Sequence, residues 1–466
     1  MPHTALPTTL TAARPVPFWL DESPTPDALS KLSHDASADL LVIGGGYTGL
    51  WTALLAKEAD PAARVVLIEG ETIGHAASGR NGGFCSPSLT HGLSNGLTRW
   101  PREIDTLVRL GQENLRAIET TLERYGVDAD FKVAGKAGFA RTPWQAKQLQ
   151  AGAEASTLHG DPVRMIPTAE LGEWTSSPEF IAGAYWPHYA LVDPYKLAIG
   201  LSNICQGLGV ELYEHTTATL VGEAAGSRVR VHTAGGVIDA ERVVLATNAA
   251  KPLLRRLALT VIPVYDYALV TEPLTDEQFD SIGWGGDYGI TDTGNQFHYS
   301  RKTADGRILW GGYDAIYRYG SARDEAGTQR PETFGTLARN FAQTFPQLAD
   351  VAFSHAWGGI VDSSTRFCVT TGTAARGRIA YALGYTGLGV SATRFAAQAM
   401  LDLLDGVDNP TTRLQMIKRR SIPFPPEPVR SVGVQLTKRS MAREDQTGRR
   451  NTWLRVMDAV GFGFDS

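Results

Sequence analysis

Residues 38–83 constrain this chain more than any other stretch, because they read as a single βαβ unit whose first turn is built of glycine. Asp39 to Ile43 is a short apolar run, of the kind that forms a strand buried on both faces, and it ends at Gly44, Gly45 and Gly46. Leu50, Trp51, Leu54 and Leu55 then recur at helical spacing, and a second apolar run, VVLIE, ends at Glu69. Gly44, Gly46 and Gly49 are spaced G-x-G-x-x-G. The first makes the tight turn, the second lets a pyrophosphate reach the amides at the helix N-terminus, and the third allows close helix–strand packing. Glu69 follows the last of them by about twenty residues, where a carboxylate accepts both hydroxyls of an adenosine ribose. A strand before, a helix after and an acid beyond turn a bare glycine spacing into a dinucleotide site.

A second polar, glycine-dense segment, GHAASGRNGGFCSP, begins at Gly74, and a nicotinamide enzyme has no need of it so soon after the ribose acid. GGGYTG, Glu69 and ASGRNGG together resemble the D-amino-acid oxidase superfamily of FAD enzymes, and the RNGG form resembles its γ-glutamylputrescine oxidase branch. The resemblance implies an α/β fold: a Rossmann-like FAD-binding domain of the glutathione-reductase/D-amino-acid-oxidase type, with an interleaved α+β substrate domain on a mixed sheet. It implies FAD contacts at Gly44, Gly46, Tyr47, Thr48, Gly49, Glu69 and Gly70, and along Ala77, Ser78, Gly79, Arg80, Asn81, Gly82 and Gly83. Near the far end of the chain a strand, the glycine turn GYTGLG and an amphipathic helix form a third motif. In the resembled family that helix start faces the flavin pyrimidine ring, which implicates Gly384, Tyr385, Gly387, Leu388 and Gly389. Exposed amides and the helix dipole stabilise the negative charge of a reduced flavin there. Ala218, Ala246 and Thr247, at strand ends in between, are further expected neighbours of the cofactor.

The length of 466 residues predicts more than one domain. The expected division is an N-terminal arm over 1–35 and an FAD-binding domain over 36–95, 186–260 and 356–410. A substrate domain is expected over 96–185 and 261–355, and a basic helical tail over 411–466. Phe18, Trp19 and Leu20 are expected to anchor the arm on the surface. Leu107, Leu110, Leu115, Ile118 and Leu122 predict a long amphipathic helix opening the substrate domain. Asp193 and Pro194 predict a capped helix start, and Asp305-Gly306 a hairpin. The tail, with Lys418, Arg419, Arg420, Arg439, Arg449 and Arg450, reads as a solvated helix face or an oligomer contact.

A net charge of −5 argues against nucleic acid as a partner, and no apolar run reaches the ~18 residues of a membrane span. Cys85, Cys205 and Cys368 are too few for a disulfide framework or a metal cluster, so a reducing cytoplasm is expected and no metal. The oligomeric state stays open.

No Ser-His-Asp set, H-E-x-x-H or C-x-x-C offers a rival chemistry, and a flavin needs little acid–base help from its protein. Two departures from the resembled family matter. Where sarcosine-type relatives bind flavin through a cysteine, this chain has Trp357, which implies noncovalent FAD. Where they hold a substrate carboxylate with an arginine, it has Gly83, Phe84 and Cys85, leaving Arg366 or Arg301 to act from the other domain. Trp357, Tyr385, His298 and Arg366 are the candidate substrate-side residues, although a strand histidine such as His298 is more often structural. The resemblance implies oxidation of a primary or secondary amine, a polyamine derivative or an amino-acid-like amine, by hydride transfer to flavin N5, with O2 as reoxidant yielding H2O2. Two alternatives stay open: a dehydrogenase with another electron acceptor, and a flavoprotein that uses FAD to sense rather than to react.

Overall fold

In the computed structural model, which describes residues 7–223 and 228–462, two large sheets share the molecule. The first is organised on the strand Ala36–Ile43, whose last four residues are at most 4 % exposed. It pairs in parallel with Val65–Ile68 on one side and Val237–Leu245 on the other. Glu211–Tyr213 and Ile379–Leu383 extend the parallel sheet outward, and Thr370–Ala374 closes one edge in antiparallel sense. Parallel strands need covered faces. Helices Tyr47–Ala59, Pro194–Gly207 and Gly389–Leu404 cover one, and the hairpin Ala218–Glu223/Val229–Thr233 lies over the other. Leu50, Trp51 and Leu54 are completely buried in the helical layer, each contributing roughly 1.5–3 kcal/mol.

Local signals position these helices as their chemistry predicts. Asp193 Oδ1 accepts from the amides of Tyr195 and Lys196, at 2.9 and 3.0 Å, with Pro194 in the first turn. Gly44 adopts φ +115°, and a Cβ there would lie 2.5 Å from the Ala246 carbonyl oxygen. A Cβ on Gly49 would lie 1.9 Å from the Gly44 carbonyl oxygen, so helix and turn meet backbone to backbone.

The second sheet runs in the order Phe353–Ser364, Val261–Thr271, Ile308–Tyr317, His298–Lys302, Gly289–Asp292, Lys136–Ala140, Ala182–Trp186, Arg164–Ile166. Every pair is antiparallel except Gly289–Asp292 with Lys136–Ala140. Side chains alternate across it. Tyr265, Tyr267 and Leu269 pack with Phe334, Leu337 and Phe341 of helix Pro331–Thr344, while Asp266 and Ala268 face the first sheet's side. The Asp305-Gly306 hairpin forms, with Gly306 at φ +78°.

Four expectations need correction. Helix Ile104–Tyr125 packs its apolar stripe into the core of the first sheet, beside Tyr47 and Phe395, instead of opening the substrate domain. A stripe shows that one face is buried, not what buries it. The strand Phe353–Ser364 lies wholly in the second sheet, so the chain regains the first sheet at Thr370 and not at residue 356. Phe18 and Trp19 are no surface anchor: they are 5 % and 3 % exposed, in a cluster with Tyr195 and Trp357. The C-terminal residues 411–466 begin as core, with Met416 and Ile417 buried, and then cross to the second sheet. There Asp445, on helix Val429–Thr447, accepts from the amides of Asn295 and Gln296 at 2.8 and 3.0 Å.

Because the Gly49 contact is with backbone that cannot swing away, Gly49→Ala should cost at least about 2 kcal/mol. A lowered urea midpoint by tryptophan fluorescence is the expected result, and an unchanged midpoint would contradict it.

Candidate active site

Between the two sheets lies a cavity of about 1620 Å³. Pockets for single small molecules run to about 1,000 Å³, so this one has room for a dinucleotide and a second molecule. Its floor is built by the three glycine segments. Glu69 Oε2 accepts from Gly45 N at 2.6 Å and Oε1 from Glu71 N at 2.9 Å, which aims the carboxylate and leaves lone pairs for a ribose. Ser78 Oγ accepts from Tyr47 N at 3.0 Å, joining the second glycine segment to the start of helix Tyr47–Ala59. Asn81 brackets its own turn: Nδ2 donates to the Ala77 and Ser78 carbonyls, and Oδ1 accepts from Gly83 N.

The third segment is held by Asp362. Its two carboxylate oxygens accept from the amides of Gly384 and Tyr385, and its backbone carbonyl accepts from Thr386 N at 3.0 Å. Burial raises this carboxyl to about 7, and the amide hydrogen bonds oppose the rise. The turn needs left-handed backbone at Gly384, Thr386 and Gly387, with φ of +85°, +52° and +90°. Helix Gly389–Leu404 starts directly after it with no side-chain cap, so its first amides open on the cavity. A Cβ on Gly387 would meet nothing within 4 Å, which leaves the turn approachable. Tyr385 Oη and Thr48 Oγ1, 2.8 Å apart, tie the first and last segments together.

The residues expected to hold the cofactor line this cavity, with four exceptions: Gly49, Gly79, Gly83 and Gly384 lie behind its wall. Each is a close-packing glycine. A Cβ would come within 1.9 Å of Gly44 O, 2.5 Å of Gly74 O, 2.2 Å of Val192 O and 2.7 Å of Ser364 Cβ respectively. The chemistry of the set fits FAD: amide-rich helix starts for a diphosphate, a carboxylate for a ribose, and an extended cavity beyond them.

Of the substrate-side candidates, Trp357 and Tyr385 line the cavity, and Trp357 Nε1 donates to the Arg80 carbonyl at 2.9 Å. His298 and Arg366 do not. His298 points into the core of the second sheet, bonded to Asp292 and Asn340 at 3.0 Å each and stacked on Trp310. Neighbouring positions on a strand face opposite sides, and the cavity side here goes to Phe297 and Tyr299. Arg366 donates to the carbonyls of Val369, Met416 and Arg419, each at 2.6 Å, and so fastens the start of the tail. Arg301 is spent in the same way on Val192 O, at 2.6 Å. Neither arginine lines the cavity.

Sequence reasoning gave no part in the site to four features of the wall. Asp266 and Tyr299, hydrogen-bonded at 2.9 Å, face the cavity beside Gly82. At the far end Lys136 holds its ammonium 4.5 Å from the ring centroids of both Trp186 and Tyr189, with no hydrogen bond or ion pair among the described residues. Asp161 faces the same end, its Oδ1 buried without a hydrogen-bond partner among the described residues. The tail supplies Glu444 and Arg450, paired at 3.0 Å. A lone acid between tyrosines in VIPVYDYALVT was a visible signal for Asp266; Lys136 carried none.

Removing the Asp362 carboxylate strands two buried amides, so Asp362→Ala should cost about 2–3 kcal/mol and loosen the third turn. Thermal unfolding and FAD content after gel filtration read both effects; full FAD content at an unchanged midpoint would contradict the assignment.

Comparison with known proteins agrees with this geometry. The family model "FAD dependent oxidoreductase" (DAO) matches residues 39–403. The gamma-glutamylputrescine oxidoreductase of Escherichia coli K12 is 29 % identical over 386 residues, covering 80 % of this chain and 85 % of that protein. A probable oxidoreductase, OrdL, of Haemophilus influenzae is 26 % identical over 407 residues, covering 85 % and 88 %. Among solved structures, glycine oxidase from Geobacillus kaustophilus superposes with a TM-score of 0.69 at 21 % identity, over 83 % of this chain and all of that one. Among the described residues no helix is long and apolar enough to cross a membrane. With a family match spanning most of its length and a cavity whose walls suit the cofactor, the chain belongs to the DAO family of FAD-dependent oxidoreductases.

Proposed function

We propose that this protein is an oxidase of amines, taking a primary or secondary amine to an imine that hydrolyses to a carbonyl compound, with O2 as the final acceptor. The observation that carries the reading is the continuity of a single cavity from Glu69, at the ribose end, to Lys136, at the far end of the second sheet. Bound FAD supplies the two-electron oxidation of the C–N bond. The chain's own part is to orient and to exclude water. Gly46, Ser78 and Gly387 would hold the cofactor through backbone amides and Glu69 through its carboxylate, Gly44 would shape the turn beneath it, and the walls from Trp357, Tyr299 and Tyr385 would confine the reacting end.

The far end favours an amine with a distant charged head group. Lys136 is a half-buried cation with aromatic neighbours and no carboxylate within salt-bridge distance among the described residues, suited to a carboxylate brought by the substrate. Asp161 beside it suits an accompanying ammonium. An acylated polyamine with an amino-acid head, of the kind named for the Escherichia coli relative, has both.

Anaerobic mixing with γ-glutamylputrescine, putrescine and N-methyl amino acids should bleach the flavin band with the first of these. Admitting air should then yield one peroxide per turnover, whereas turnover only with an added dye would make the protein a dehydrogenase. Lys136→Met should lower the kcat/KM ratio of γ-glutamylputrescine over putrescine about tenfold, equivalent to about 1.4 kcal/mol. An unchanged ratio would remove Lys136 from substrate recognition. Because Trp357 stands where a linking cysteine would be, and no cysteine lines the cavity among the described residues, acid precipitation should release all of the flavin. Colour kept by the pellet would contradict noncovalent binding.

A further inference from the structure

We infer that Asp266 is a catalytic residue: it receives the substrate amine in its ammonium form and takes the proton that must leave nitrogen before the C–N bond can be oxidised. The inference rests on the amine reading above but stands on separate observations. Asp266 lies in the middle of the strand Val261–Thr271, whose apolar alternation would place a valine or alanine there without cost. Instead a carboxylate faces the cavity.

Its surroundings are built for it. The Tyr299 hydroxyl donates to Oδ2 at 2.9 Å, and the Tyr299 ring fits only because residues 82 and 311 are glycine. A Cβ would come within 2.6 Å of the ring at Gly82 and 2.4 Å at Gly311. Opposite, in register, stands Gly359, and Trp357 faces Ala268. Neither brings charge. Arg80 reaches the same wall, but its guanidinium is engaged by the His75 carbonyl and by Glu325. Tyr267, the neighbour on its own strand, turns its hydroxyl away to the Gly327 carbonyl.

Asp266 therefore has no cationic partner within salt-bridge distance among the described residues. Four other acids of the wall do have fixed partners: Glu69 and Asp362 hold amides, Asp292 holds Arg141 and His298, and Glu444 holds Arg450, whereas Asp161 lies at the far end, beside Lys136. A half-buried carboxylate on a cavity wall without a cation is costly to keep, which is explained if its cation arrives with the substrate. Burial raises Asp266 to about 6, opposed by the Tyr299 hydrogen bond. It is then ionised at neutral pH yet more basic than an ordinary carboxylate, as a proton acceptor should be. In the step, the substrate N–H bond breaks and an O–H bond forms on Asp266. Ammonium and carboxylate become neutral amine and acid, and no electron pair leaves the substrate.

Tetramethylammonium, a cation that can neither lose a proton nor be oxidised easily, tests the site without any substrate. Titrated into the FAD-loaded protein and followed by perturbation of the flavin band, it should bind about tenfold more tightly at pH 7 than at pH 5. Asp266→Asn, which keeps an acceptor for Tyr299, should abolish that pH dependence and weaken binding at pH 7 about tenfold. Tyr299→Phe should move the midpoint to higher pH, since it removes the hydrogen bond that favours the carboxylate. Equal affinity and an unshifted profile in these variants would overturn the inference. With γ-glutamylputrescine, the rate of flavin bleaching should rise with pH through a midpoint near 6 in the wild type. In Asp266→Asn the rise should move toward the amine's own ionisation, near about 10. Retention of the wild-type limb in the variant would likewise overturn it. Failure of the wild type to bleach counts against the amine reading, while the tetramethylammonium titration still judges Asp266.

Discussion

The meeting of Gly49 with the carbonyl of Gly44 is the contact on which the rest of this structure depends. It brings helix Tyr47–Ala59 against the end of strand Ala36–Ile43 with no side chain between them. That approach directs the first helical amides into the cavity and places Glu69, directly after the neighbouring strand Val65–Ile68, within 2.6 Å of Gly45 N. Ser78 then reaches Tyr47 N, and Thr48 reaches Tyr385. Three separated segments are thus locked to one another by hydrogen bonds that begin at a single backbone contact.

The two halves of the cavity follow different rules. The nucleotide half is made of backbone: amides, φ-positive glycines and one carboxylate, so its specificity is for phosphate and ribose and hardly depends on side-chain identity. The other half is made of side chains projecting from one face of a sheet, where alternation sends Asp266 and Tyr299 inward and Tyr265, Tyr267 and His298 into the core. Charges are placed sparingly on that face, and those in contact with fixed partners serve structure. Arg301 and Arg366 illustrate this: both guanidiniums are consumed by carbonyls of segments that would otherwise be held only by packing.

What could be read from residues alone divides along the same line. The strand–glycine–helix order, the acid at position 69, the capped helix at Asp193 and the distant GYTGLG turn were legible because each obeys a local rule of spacing or capping. The substrate face was not, since a period of two says which residues share a side but not which side meets the cavity. His298 and Tyr299 differ by one position and have opposite fates for that reason. Helix Ile104–Tyr125 was legible as a helix and misplaced as a neighbour, because a single apolar stripe fits either sheet's helical layer. The tail reads from its basic residues as a solvated face or an oligomer contact, and Lys418, Arg419, Arg420 and Arg449 are exposed, but Arg450 is paired with Glu444 and Asp458, and such pairing leaves no local pattern.

The joining of Thr48 to Tyr385 has a consequence for how the protein is made. The two walls lie 337 residues apart in sequence, so until the later one is synthesised a nascent chain can present only an open half-site. Contacts of such long sequence separation form late and slowly. A cofactor can therefore be gripped from both sides only after Tyr385 has left the ribosome, which makes FAD a ligand that closes two joined walls and not a template for the first of them.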